Sequence, residues 1–172
     1  MKRFLCLLLV ALMLVPGALA EPKITYKTDK FFLQLSSDWV EVPVSDGAKT
    51  YARVTNGKYD MAKGYLMLME IEDSKVNKKN AASAEAQYLE LYTSLYQLTG
   101  KMELIATETI KVNGKDKDVY FLNLKEGKEN MEYMYMAFVG GDGMMLLIMY
   151  GNEDAKNPKE ELADILSAIV VR

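Results

Sequence analysis

Histidine is missing from this chain, and its one cysteine, Cys6, falls within the first twenty residues. Without imidazole there is no histidine-dependent nucleophilic triad, no paired-histidine zinc motif and no histidine pH switch. A lone thiol closes no disulfide within the chain, and the usual ligands of a tetrahedral zinc site are not at hand. Nucleophile motifs are also missing: there is no Gly-x-Ser-x-Gly, no Ser-x-x-Lys and no Walker loop. Gly140-Gly141-Asp142-Gly143 lacks the spacing of a dinucleotide loop and joins two strand candidates, so it reads as a hairpin turn.

The N-terminus carries an address. Lys2 and Arg3 precede an unbroken apolar run from Phe4 to Val15, then Pro16-Gly17 and Ala18-Leu19-Ala20. This is the pattern of a secretory signal peptide over residues 1–20, with the cut expected between Ala20 and Glu21. The run is shorter than the ~20 apolar residues of a membrane span, so no span is expected after cleavage. Cys6 opens the apolar segment, where a lipidated cysteine would follow it. The expected mature chain, 21–172, is exported, periplasmic or secreted, free of cysteine, and long enough for one domain held by its core alone.

Lys2 and Arg3 leave with the signal, so net charge moves from −3 to −5, with 19 basic residues against 24 acidic ones. An acidic chain is a poor partner for nucleic acid, which needs a basic face. Lys75, Lys78 and Lys79 read as a solvated loop before a helix.

Strand patterns cover Ile24–Thr28, Phe31–Leu35, Lys49–Thr55 and Gly64–Glu72, with Asn56-Gly57 as a hairpin turn. A helix is expected over Ala81–Leu98, with Tyr88, Leu89, Tyr92, Leu95 and Tyr96 on its buried face, Leu91 and Leu98 widening it, and Gly100 as its stop. Further strands follow at Met102–Val112, Asp118–Leu124, Met131–Val139 and Met144–Tyr150, with turns at Asn113-Gly114 and Glu126-Gly127. The last strand has no polar residue on either face and should be central. Asn157-Pro158-Lys159-Glu160 predicts a capped helix start, with Leu162, Ile165, Leu166, Ile169 and Val170 as its buried stripe. The fold class is therefore α+β: a mostly antiparallel sheet with two amphipathic helices packed on it.

Four segments carry a family likeness: Phe32-Leu33-Gln34-Leu35-Ser36-Ser37-Asp38-Trp39, the helix Ala81–Leu98, Glu108-Thr109-Ile110-Lys111-Val112-Asn113-Gly114 and the closing helix from Leu162 to Val170. Together they resemble the PsbP-like / DcrB-like fold family of bacterial envelope proteins, although Ser-Ser-Asp-Trp stands where that family often has Pro-x-Gly-Trp. The resemblance implies an α/β/α sandwich in a cell-envelope setting. It implies no activity and carries over no site residues.

Methionine is the abundant unusual residue. Met67/Met69 and Met134/Met136 are i, i+2 pairs, so each pair shares a strand face. The plain reading is core filling by a flexible side chain. The functional alternative is a thioether site for Cu(I) or another soft metal, with Met67, Met69, Met134 and Met136 as candidates. Tyr88, Tyr92 and Tyr96 form a helical stripe that reads as a core edge or as the wall of a ligand cavity. Among carboxylates, Asp116 and Asp118 read as a solvated turn. Glu70 reads as the point where its strand leaves the core, and Glu85, near the apolar side of its helix, as a residue favoured by the helix N-terminal dipole; if buried, either would have a raised pKa suited to acid–base work. A pair of such carboxylates is the basis of an alternative reading as an envelope hydrolase. The principal expectation is a non-enzymatic binding or accessory protein without a cofactor, whose partner is an envelope protein or a small apolar ligand.

Overall fold

The computed structural model describes residues 24–43, 47–100, 102–124 and 133–172. Met131, the expected Glu126-Gly127 turn and residues 1–20, the expected signal peptide, lie outside the described residues.

In chain order the elements are β1 (Ile24–Lys27), β2 (Phe31–Leu35), β3 (Trp39–Val42), β4 (Lys49–Thr55), β5 (Lys58–Glu72), α1 (Ala81–Leu98), β6 (Met102–Val112), β7 (Lys115–Leu124), β8 (Tyr133–Gly141), β9 (Met144–Gly151), α2 (Pro158–Ala168) and β10 (Val170–Val171). Seven strands form one sheet in the order β3-β4-β5-β9-β8-β7-β6, and β1-β2-β10 form a second. Every strand pairing is antiparallel.

The hairpins arise where the chain tolerates positive φ. Asn56 and Gly57 stand at φ 54° and 76°, and Asn113 and Gly114 at 51° and 77°. Both residues of each turn are left-handed, the geometry that matches the twist of the flanking strands. In the third hairpin only Asp142-Gly143 turns; Gly140 and Gly141 belong to β8.

Strand β9 lies between β5 and β8, and its residues from Met145 to Tyr150 are buried on both faces. Alternation then sorts its side chains. Leu146, Ile148 and Tyr150 enter a core with β1, β2, Trp39 and α2, whereas Met145, Leu147 and Met149 enter a second core under α1. The two helices thus cover opposite faces of the large sheet, with the small sheet beside α2. Burial of these two faces supplies most of the driving force, at roughly 25 cal/mol per Å² of apolar surface.

Three local expectations are corrected. The closing helix ends at Ala168; Ile169 is extended, and Val170-Val171 pair with Phe32 and Phe31 of β2. Asn157 does not cap α2 with its side chain; its carbonyl accepts the Glu161 N–H at 3.3 Å. On α1, Leu91, Leu95 and Leu98 are 52%, 48% and 84% exposed, so they form an outward stripe and do not widen the buried face. Leu89 is buried as expected, and Ala84 and Thr93 are buried with it. One strand, β3, has no counterpart among the sequence-based expectations.

Side-chain bonds fix both helices to the sheet. Glu85 of α1 accepts the Gly140 N–H at 2.8 Å and pairs with Lys117 of β7 at 2.5 Å. Gly140 is required there, since a Cβ would sit 2.8 Å from the Ala81 Cβ. Lys159 of α2 meets Glu108 of β6 at 2.7 Å.

Candidate functional site

Methionine is not spread evenly through the two cores. Met67, Met69, Met102, Met134, Met136, Met145 and Met149 all belong to the core under α1, while Met144 alone among the described methionines packs against the other. Gap filling by itself gives no reason for one face over the other. The strand register explains how they meet. Met67 of β5 is paired with Met149 of β9, and Met149 with Met136 of β8. Residues directly opposite on one face have Cβ atoms about 4.5–5.5 Å apart, so this row forms a continuous thioether band across three strands.

The helix above the band is aromatic on its inner side. Tyr88 and Tyr92 both pack edge-on against Phe138, with ring centroids 5.5 and 5.4 Å apart. The Tyr88 hydroxyl donates to Asp73 at 2.9 Å. One turn further along, Tyr96 tilts against Tyr92 with ring centroids 6.2 Å apart. There the space is bounded by Met61, Tyr65, Met67, Met102, Leu124, Met134 and Met149, and it forms a pocket of about 240 Å³.

Met61 reaches this pocket through an irregularity in β5. Pairing with β4 jumps from Ala52↔Tyr65 to Arg53↔Asp60, leaving residues 61–64 without β4 partners. The titratable groups of the lining are Tyr65 and Tyr96. Burial pushes both phenols above their ordinary pKa, and each has a neighbouring tyrosine that adds to the rise: Tyr96 for Tyr65, and Tyr92 for Tyr96. Both stay neutral at physiological pH. The pocket therefore offers a neutral, polarizable, adaptable wall.

Of the four methionines singled out from the sequence, Met67 and Met134 line the pocket. Met136 lies fully buried in the same band, and Met69 is further along the same face. Met61, Met102 and Met149 are lining residues that sequence reasoning did not select. The tyrosine stripe is both things at once: Tyr88 and Tyr92 pack as core edge, and Tyr96 forms a pocket wall.

The carboxylates have other employment. Glu70 accepts the Tyr26 hydroxyl at 3.1 Å and lines a separate cleft with Tyr51 and Lys49. Glu85 is the helix tie described above. Asp116 and Asp118 sit on β7 and not in a turn; Asp116 pairs with Lys111 at 2.5 Å and Asp118 accepts the Thr109 hydroxyl at 2.9 Å. Glu85, Asp116 and Asp118 do not line the Glu70 cleft. Lys75, Lys78 and Lys79 are exposed ahead of α1.

On the opposite face a polar cluster ties α2 to the sheet. The Glu161 carboxylate accepts from Arg53 at 3.1 Å, from the Asn152 amide at 3.1 Å and from the Tyr150 hydroxyl. Arg53 also lies over the Trp39 ring, 5.2 Å from its centroid. Burial, then the bond to Glu161, pushes the Tyr150 phenol upward. A solvent-facing cleft of about 550 Å³ runs beside this cluster, lined by charges of both signs. Its central groups are already paired with one another, and it acts as a brace.

With two helices on opposite faces of an antiparallel sheet and a small sheet beside one of them, the architecture can be matched. The solution structure of cyanobacterial PsbP (CyanoP) from Synechocystis sp. PCC 6803 aligns over 91% of this chain and 96% of that one, with TM-score 0.56 and 15% sequence identity. The fold is PsbP-like. A crystal structure from Bacteroides thetaiotaomicron VPI-5482 aligns over 88% of this chain and 48% of that one, with TM-score 0.47 and 11% identity. No protein-family model matches the chain, and no curated protein matches it. The PsbP-like likeness is one of backbone; the methionine-lined pocket is argued from this chain's own residues.

Proposed function

We propose that this protein is a non-enzymatic binding or accessory protein of the bacterial cell envelope, and that it holds a small apolar ligand in the methionine-lined pocket. The pocket carries the reading. Its wall is thioether, phenol and leucine, it is drawn from five neighbouring strands and α1, and flexible methionines let it adapt to shape. A volume of about 240 Å³ suits a ligand of one or two rings or a short aliphatic chain. The pattern of residues 2–20 supports the envelope setting.

Binding to the native state raises the melting temperature. The full chain should therefore melt higher in saturating naphthalene. Met102→Trp, which fills the pocket from a half-buried position, should keep the fold and lose the shift. A naphthalene shift of the same size in Met102→Trp would remove the reading.

A further inference from the structure

Thioethers do one thing that leucine side chains of similar size cannot: they donate sulfur lone pairs to soft cations. We propose that the pocket is also a site for one soft monovalent cation of the Cu(I) class, held by the sulfurs of Met67, Met134 and Met149 with Met61 and Met102 within the same wall. This rests on the reading of the pocket as the binding site and adds a second class of occupant to it.

The placement argues for it in three ways. Met67 and Met149 are opposed in register, and Met134 follows on the neighbouring strand, two residues from the Met136 that pairs with Met149. Three neighbouring strands thus present three thioethers to one pocket. Methionine is also concentrated on this face, with Met144 alone among the described methionines against the other core, which packing alone does not require. Finally, Tyr96 brings the C-terminal end of α1 to the pocket, and the last turn of that 18-residue helix carries no basic residue. The partial negative charge of a helix C-terminus favours a cation there. A monovalent ion loses less hydration than a divalent one on entering a neutral wall, and sulfur ligation offsets that loss, whereas a hard divalent ion would demand carboxylates.

The test uses the full chain carrying Cys6→Ser, so that no thiol contributes. Under anaerobic reducing conditions it competes with bicinchoninate for Cu(I). The protein should withdraw one equivalent, and the methyl carbons of Met67, Met134 and Met149 should shift in spectra of [methyl-13C]methionine-labelled protein. The triple variant Met67→Leu, Met134→Leu, Met149→Leu keeps apolar volume. It should bind Cu(I) at least about tenfold more weakly, while keeping the parent's far-UV circular dichroism. No transfer of Cu(I), transfer undiminished in the triple variant, or methyl shifts confined to other methionines would each overturn the proposal. Should the triple variant not fold, the methyl spectra of the parent protein decide alone. Cu(I) binding without naphthalene binding would leave this site standing and remove the apolar ligand.

Discussion

Met67 of β5 stands directly opposite Met149 of β9, and both open onto the pocket beneath Tyr96. The same row continues to Met136 of β8, which is fully buried. Position along this row decides what a substitution does. Met136→Ala empties a closed site and should cost about 2–5 kcal/mol in urea unfolding. Met67→Ala enlarges a pocket that is already open and should cost about 1 kcal/mol or less. Met→Leu at either position should stay within about 1.5 kcal/mol.

The helix tie gives a second prediction. Removing the Glu85 side chain leaves a mostly buried Lys117 ammonium and the Gly140 N–H without their partner. Glu85→Ala should therefore destabilise by about 2–4 kcal/mol. Gly140→Ala pushes a methyl into Ala81, lifts the start of α1 and should cost about 1–3 kcal/mol. Because both act at the same junction, the double variant should cost less than the sum of the two, measurable in a double-mutant cycle.

Alkaline pH should unfold the protein through its tyrosines. Burial pushes Tyr51 up to about 12, and burial with the Asp73 bond does the same for Tyr88, against 10.0 for a free phenol. A phenol whose folded pKa is raised binds its proton more tightly in the native state. Stability from these groups is complete below pH 10, and it is lost as pH rises through 10 toward about 12. The urea midpoint should hold steady up to about pH 9 and then fall. Phenolate absorbance should appear in step with unfolding for these residues; full phenolate formation in a still-folded protein would contradict the burial.

The single tryptophan reports on the brace. Trp39 is buried under Arg53, which Glu161 holds. Glu161→Ala takes the shared acceptor from Arg53, Asn152 and the Tyr150 hydroxyl together, leaving Arg53 with Asp38 at 3.4 Å. It should change Trp39 emission and lower stability by about 2–4 kcal/mol. Unchanged fluorescence would mean that Arg53 keeps its place without the carboxylate.

What could be read from residue order follows from how local each feature is. Asn56-Gly57 and Asn113-Gly114 were legible because two adjacent residues alone determine a left-handed turn. The run Met144–Tyr150 was legible as central because no polar residue interrupts it. Val170 continues an i, i+4 stripe and so reads as helical; its pairing with Phe32, far away in sequence, overrides that rhythm. Strand β3 is four residues followed by Pro43, too short for periodicity to register. The pocket was half legible. Alternation put Met67 with Met69 and Met134 with Met136, but joining those pairs needs the β5-β9-β8 register, and Met61 arrives only through the irregular pairing of β5. The Arg53–Glu161 bond spans 108 positions and leaves no local trace.

The central claim is that the methionine-lined pocket binds a small apolar ligand. Its most direct test is a naphthalene titration of the full chain labelled at its methionine methyls. The methyls of Met61, Met67, Met102, Met134 and Met149 should shift saturably with one common dissociation constant, while Met144, in the opposite core, stays still. Shifts absent from those five methyls, or spread equally to Met144, would contradict it.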